Sequence, residues 1–236
     1  MALCSKKPKD LKIDRLILYE DNHLLVLNKP GGLLVQGDRT GDETLLTAAK
    51  NYLKEKYQKP GRVFLALVHR LDRVTSGVVV FARTSKAASR LALAFRERKV
   101  KKFYLAVVHG HPPPNETLEG KILFDKKSRR AYLHRDGKPA RLSYQMLKKH
   151  GGYSLLLVQP ETGRKHQIRV QLAAKGYPIV GDLKYGSHER VASGRAILLH
   201  AWQILLPHPT LRKEILFSAP LPKYWPSYTR LNFTLN

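Results

Sequence analysis

The sequence predicts an α+β protein with a mixed, largely antiparallel central sheet and helices on its flanks. Three observations carry this. Extended apolar runs far outnumber helical stripes. The two kinds do not alternate along the chain, as a doubly wound sheet would require. Hydrophobic residues make up 43% of the 236, enough for a real core.

Leu24 to Leu27 reads as a short strand ending in the turn Asn28-Lys29-Pro30-Gly31-Gly32. Thr44 to Tyr57 carries Leu45, Ala48, Ala49, Tyr52 and Leu53 at helical spacing and is closed by Pro60-Gly61. Phe64 to Val68 and Val78 to Ala82 are apolar runs that predict two buried strands joined by a tight connection. Thr84 or Ser85 caps a helix running to about Arg98, with Ala87, Ala88, Leu91, Ala94 and Phe95 turned inward. Lys102 to His109 predicts a strand with Phe103, Leu105 and Val107 on one face and Tyr104, Ala106 and Val108 on the other. His111-Pro-Pro-Pro114 is a rigid turn, followed by weaker strands near Lys121 to Phe124 and Arg141 to Leu147 and a clear one at Tyr153 to Gln159. After the turn Glu161-Thr162-Gly163, Thr162 is placed to cap a helix from Arg164 to Lys175 anchored by Ile168 and Leu172. Ala196 to Leu206 and Lys213 to Phe217 complete the sheet. Residues 1–15 read as a basic tail and 16–236 as one domain.

Composition narrows the class of partner. Lys plus Arg is 43 against 18 Asp plus Glu, a formal net charge of +25. Such an excess suits a polyanion, because each neutralised phosphate releases counterions. There is no long apolar run and no basic amphipathic helix with bulky aromatics opposite, so a membrane surface is disfavoured. The basic runs Arg96 to Lys102 and Lys126 to Arg130 lie at element ends, as solvated faces or as phosphate contacts. A single cysteine, Cys4, excludes an internal disulfide and a cysteine metal cluster. The start has no secretory apolar region and makes a poor transit peptide, so an intracellular, cytoplasmic protein is expected, with an organelle such as the mitochondrion left open.

The chemistry concentrates in three segments. His69–Gly77 reads HRLDRVTSG and sets Asp72 between Arg70 and Arg73 on the connection between the two apolar runs. A fixed carboxylate beside arginines is suited to attack an electron-poor carbon or to take a proton. The plain alternative is a surface loop with weak, solvated ion pairs. Thr162–Val170 reads TGRKHQIRV; on a helix Lys165 and Arg169 share a face beside His166, and basic groups at a helix start oppose its dipole. Either they face a partner, Asp72 or phosphate, or the helix is an amphipathic surface element. Lys102–Gly110 carries Tyr104, by pattern alone an ordinary core tyrosine. No HExxH, P-loop or GxGxxG is present, and the His109/His111 pair is a weak signal, so metal, ATP and nicotinamide chemistry are disfavoured. No partner acid stands at a spacing suggestive of glycoside hydrolysis.

The strings LLVLNKPGGLLV, VHRLDRVTSGVVVFART, FRERKVKKFYLAVVHG, GKPA at Gly137–Ala140, TGRKHQIRVQLAAKGYPIVGDLKYG and LLHAW at Leu198–Trp202 follow one another across most of the chain. Together they resemble the RluA-type family of RNA pseudouridine synthases. The resemblance implies the pseudouridine synthase fold, with a catalytic cleft across its sheet. It implies isomerisation of uridine to pseudouridine, in which the bond from uracil nitrogen to ribose breaks and the base rejoins through a ring carbon. The family's catalytic aspartate falls on Asp72, which attacks the anomeric carbon or removes a proton from the neighbouring sugar carbon. The family's active-site tyrosine falls on Tyr104, which stacks on the uracil and assists proton removal from the ring. The arginine paired with the aspartate falls on Arg169. Arg70 takes the part of the side chain that fills the stack left by a flipped nucleotide. His69, Arg73, Lys101, Lys102, Arg164, Lys165 and His166 are implied RNA contacts. The reaction conserves every atom and has no redox step, so no metal and no organic cofactor is expected, and the enzyme is expected to be a monomer acting on ribosomal or transfer RNA.

Two positions depart from the pattern. Gln171 stands where many relatives have histidine, and Arg141-Leu142-Ser143 follows GKPA where a threonine before an acidic residue is common. The small N-terminal RNA-binding domain of many relatives has no room before the first strand, so recognition is expected to rest on the catalytic domain. Two other readings stay open at this point: a catalytically silent RNA-binding or ribosome-assembly protein with the same fold, and a base-excising glycosidase, which would release free uracil.

Overall fold

In the computed structural model of the chain, residues 11–37 and 44–229 are described. Cys4 and residues 1–10 of the basic tail lie outside them. Among the described residues the strands are β1 (Ile17–Glu20), β2 (Leu24–Lys29), β3 (Ala66–Leu67), β4 (Ser76–Ala82), β5 (Lys101–His109), β6 (Asn115–Asp125), β7 (Arg130–Leu133), β8 (Lys138–His150), β9 (Tyr153–Pro160), β10 (Leu199–Pro207) and β11 (Glu214–Ser218). The helices are α1 (Leu45–Lys56), α2 (Ser85–Arg96) and α3 (Gln167–Ala174). The sheet order is β1-β2-β4-β10-β5-β9-β8-β6-β7, with β11 beside β10 and β3 beside β4. Every pairing is antiparallel except β4 with β10, where Ser76 and Gly77 face His200 and Ala201. The mixed, mostly antiparallel α+β architecture is as the sequence pattern predicts.

Two layers cover the first half of the sheet. β4 is buried along its whole length, as its unbroken apolar run requires of a strand covered on both faces. Leu25, Leu27, Val79 and Phe81 point to α1, while Leu24, Val26, Val78 and Val80 point to α2. Thr44 and Thr84 are the N-caps, accepting from the backbone N–H of Thr47 and Ala87 at 3.1 Å each. Both helices stop where a residue turns left-handed, Gln58 (φ 46°) after α1 and Arg98 (φ 58°) after α2. Lys59 N–H then bonds Lys54 O and Lys99 N–H bonds Ala94 O, the six-to-one closure of a Schellman end. In the second half, α3 packs Ile168 and Leu172 over Ala106, Val108, Leu156 and Val158. Trp225 covers Leu105, Val107 and Leu155. Ile13 is buried in the α1 layer, so the core begins within the segment expected to be tail.

Several elements differ from expectation. The predicted strand Phe64 to Val68 shrinks to β3, because Phe64 is exposed and only Ala66 and Leu67 reach the ladder with β4. Asp72 therefore sits on a loop leaving a two-residue strand, not between two long buried ones. α3 begins at Gln167, not Arg164, and its N-cap His166 is left-handed. Thr162 does not cap it; the hydroxyl donates to Gln167 Oε1 at 2.7 Å and accepts from Arg141 N–H, tying the segment to β8. Lys165 precedes the helix, so it shares no helical face with Arg169. β7 was not expected; Asp125 accepts from Lys127 and Ser128 N–H and turns β6 back on itself.

Gly77 permits the parallel contact of β4 with β10. Its φ is +116°, and a Cβ there would lie 2.2 Å from Ala201 O. Gly77→Ala is expected to destabilise the protein by more than about 3 kcal/mol through strain and backbone collision. A urea midpoint equal to wild type would contradict this close approach.

Candidate active site

The loop Val68–Thr75 is pinned along its length. His69 Nε2 accepts from Val80 N–H at 2.9 Å, and its ring stacks on Phe95 at 5.4 Å. Leu71 is buried in the α1 layer. Arg73 O accepts from Gly32 N–H at 2.8 Å and from Lys29 Nζ at 3.1 Å, while Arg73 Nε donates to Gly32 O. Thr75 N–H bonds back to Asp72 O, and Ile197 N–H bonds Val74 O. Lys29 is fully buried and also donates to Pro30 O and Leu33 O at 2.9 Å each. Burial pulls its ammonium down to about 7, while the nearby Asp72 charge acts the other way. A backbone held at this many points presents Asp72 in one direction.

Asp72 meets Arg169, 97 residues away, with NH1 donating to Oδ2 at 2.9 Å. The same guanidinium is gripped from behind by Asp182, Nε to Oδ2 at 2.7 Å and NH2 to Oδ1 at 2.8 Å. Side-chain exposure is 6% for Arg169, 1% for Asp182 and 25% for Asp72, so only Asp72 reaches solvent. Despite its burial, the two carboxylates raise the Arg169 pKa, so it stays charged. Among the described residues Asp72 Oδ1 has no hydrogen-bond partner. His166 Nε2 lies 3.8 Å from Asp72 Oδ2, and its Nδ1 is 2.8 Å from Tyr185 OH.

These groups line a cleft of about 640 Å³. Asp72, Arg169, Tyr104, His69, Arg70, Lys102, Arg164, Lys165 and His166 all border it. Lys101 is exposed at the start of β5 and does not border it, and Arg73 borders instead a smaller cavity of about 290 Å³ across Asp72, shared with Arg129 and Lys184. His69 is held in the loop scaffold, and burial with nearby Lys102 lowers it to about 3, so it brings no cation to the cleft. Tyr104 is held protonated, its pKa raised by burial and by the Asp72 charge. Burial also lowers Lys102, whose Nζ points to Thr162 O. The chemistry on offer is one free carboxylate oxygen, an aromatic face beside it and a cationic rim.

Sequence reasoning did not single out Asp182, Tyr185, Phe124 or Lys29. Phe124 carries Lys165 Nζ 3.7 Å above its ring and sets its edge against His166. Asp182 had a usable signal: a buried arginine on α3 demands a carboxylate, and Asp182 follows the apolar pair Ile179-Val180.

A family model described as RNA pseudouridylate synthase matches residues 23–174, which include Asp72, Tyr104 and Arg169. The chain belongs to the RNA pseudouridylate synthase family. It is of RluA type, and its activity is isomerisation of uridine to pseudouridine in RNA. It is 37% identical to the dual-specificity RNA pseudouridine synthase RluA of Escherichia coli strain K12, over 87% of this chain and 92% of that protein. It is 35% identical to ribosomal large subunit pseudouridine synthase C of Buchnera aphidicola subsp. Schizaphis graminum, over 96% of this chain and 75% of that protein. It is 38% identical to ribosomal large subunit pseudouridine synthase D of Nitrosomonas europaea, of which it spans 62%. The solved structure of human RNA pseudouridylate synthase domain containing 4 superposes with a TM-score of 0.75 at 28% identity, covering 90% of each chain.

His69, His166 and His200 set an acid limit. Burial lowers His69 to about 3 and His166 and His200 to about 4, from 6.5. Below pH 6.5 the unfolded chain takes up protons that the folded chain refuses. The stability is therefore full above that pH and falls as pH drops toward 4, by up to roughly 1.4 kcal/mol per pH unit for each histidine. Urea midpoints at pH 7 and pH 5 test this, and equal midpoints would contradict it.

Proposed function

We propose that the substrate is a uridine in folded ribosomal or transfer RNA, and that Asp72 is the group that acts on its ribose. The observation supporting it most directly is the 2.9 Å contact of Arg169 NH1 with Asp72 Oδ2, which leaves Oδ1 open to the cleft. Oδ1 works at the anomeric carbon or at the proton of the neighbouring sugar carbon. The bond from the anomeric carbon to uracil N1 breaks, its electron pair leaves with the base, and the base turns. C5 then bonds the anomeric carbon, C5 loses its proton and N1 gains one, so the product is an isomer and nothing is consumed. Tyr104 offers the base an aromatic face, and Arg169 keeps the carboxylate aimed.

A uridine inside a folded RNA must leave its stack to enter such a cleft, at a cost of a few kcal/mol. Arg70, exposed at the mouth and bordering both cavities, fills the vacated position in this reading. Lys102, Arg164 and Lys165 on the rim suit the flanking phosphates, in keeping with the +25 charge. Relatives named for the ribosomal large subunit favour ribosomal RNA, and the dual-specificity relative keeps a second RNA in play. In this reading the catalytic domain works as a cytoplasmic monomer without metal.

Pseudouridine mapping of RNA from cells with and without the gene identifies the site, and a stem-loop spanning it serves as substrate. Asp72→Asn is expected to lower turnover on the order of 10⁴-fold or more while RNA affinity stays within a few-fold of wild type. Wild type should release no free uracil. Full turnover by Asp72→Asn would overturn the assignment.

A further inference from the structure

His166 lies 3.8 Å from Asp72 Oδ2, and the reaction as described leaves it without a task. It is a non-glycine residue in the left-handed region, φ 57°, at the start of α3. Such backbone is retained where the surroundings over-determine it. The imidazole is walled by two rings set edge-on, Phe124 at 5.6 Å and Tyr185 at 5.7 Å between centroids. Burial lowers its pKa to about 4 against the opposing pull of Asp72, so it enters neutral solution uncharged, with one N–H and one acceptor nitrogen.

Which nitrogen carries the proton follows from its neighbour. Ala131 N–H donates to Tyr185 OH at 2.8 Å, and that oxygen lies 2.8 Å from His166 Nδ1. With its oxygen already accepting from β7, the hydroxyl has its own hydrogen to place, and Nδ1 is the acceptor that the described residues offer it. Nδ1 is then unprotonated, and the hydrogen resides on Nε2. Nε2 has no hydrogen-bond partner among the described residues and points toward Asp72 Oδ2 across 3.8 Å. That gap is too long for a direct hydrogen bond. It admits one hydroxyl that accepts from Nε2–H and donates to Oδ2.

We propose that His166, with its tautomer set by Tyr185, binds the 2′-hydroxyl of the target ribose and so makes the site selective for ribose over deoxyribose. This rests on Asp72 acting at the sugar: the 2′-oxygen is carried by the carbon next to the anomeric one, so a ribose poised at Oδ1 brings that oxygen beside Oδ2. The 2′-hydroxyl is both donor and acceptor, which matches a site offering one N–H and one carboxylate oxygen, and it is the group that tells RNA from DNA. Tyr185 is a positioning residue that touches no substrate and acts through the imidazole.

Two measurements test it. In ¹⁵N NMR of the free protein the His166 signals should report protonated Nε2 and bare Nδ1, and Tyr185→Phe should move the population toward the other tautomer. Protonated Nδ1 in wild type would overturn the relay. Second, binding is compared for the stem-loop with uridine or with 2′-deoxyuridine at the target position. Wild type should prefer the ribose form by roughly 3- to 10-fold, as one hydrogen bond gives. His166→Leu should bind the deoxy form as wild type does but lose the preference, and Tyr185→Phe should reduce it. A preference undiminished in a folded His166→Leu protein would overturn the inference, as would equal binding of both forms by wild type. Absence of pseudouridine with wild type and the all-ribose RNA would instead strike at the proposed function.

Discussion

The site depends on one guanidinium shared between two carboxylates. A buried arginine is costly unless its donors are met. Asp182 meets two of them with a bidentate grip from the side away from solvent, which fixes the plane of the Arg169 guanidinium. The remaining NH1 then projects in one direction and meets Asp72. α3 and the turn after it thus act as a mount for a loop that comes from the other half of the sheet. Because Arg169 binds Oδ2, the two oxygens of Asp72 become inequivalent, one structural and one available.

The rest of the molecule serves to bring that loop and that mount together. The parallel contact of β4 with β10, possible through Gly77, places the loop before β4 beside Leu199, and β5 on the far side of β10 supplies Tyr104. Lys29 illustrates the same economy. Its ammonium is invested in three carbonyl oxygens, one of them on the residue after Asp72, so this buried charge holds the loop in place and does not face RNA. The cations on the rim of the cleft, Arg70, Arg164 and Lys165 among them, are separate from it.

Much of the fold was legible in the sequence because its signals are local. The runs at β2, β4 and β9, the helical stripes of α1 and α2 and the alternation of β5 all gave the right element within a few residues. Where neighbours decide, pattern failed. β7 forms because β6 and the Asp125 turn deliver it to the edge, and α3 starts late because Thr162 and Gln167 bind Arg141 on β8. The site divides in the same way. Spacing marked Asp72 as unusual but left Tyr104 an ordinary core residue and gave Arg169 a helical partner in Lys165 that it does not have. It was the resemblance that joined Asp72, Tyr104 and Arg169. Asp182 and Tyr185 went unnoticed because their importance lies in contacts across 13 and 19 residues of irregular chain that no periodicity encodes.

The most direct measurement is the single-turnover rate of Asp182→Asn on the stem-loop substrate, well below the melting transition of the variant. Asp182 borders neither cavity, so nothing in the substrate touches it. If the grip on Arg169 is what aims Asp72, the rate should fall about 10- to 100-fold, the loss typical of a misplaced catalytic group, with RNA affinity unchanged. A folded Asp182→Asn protein that reacts at the wild-type rate would contradict the account.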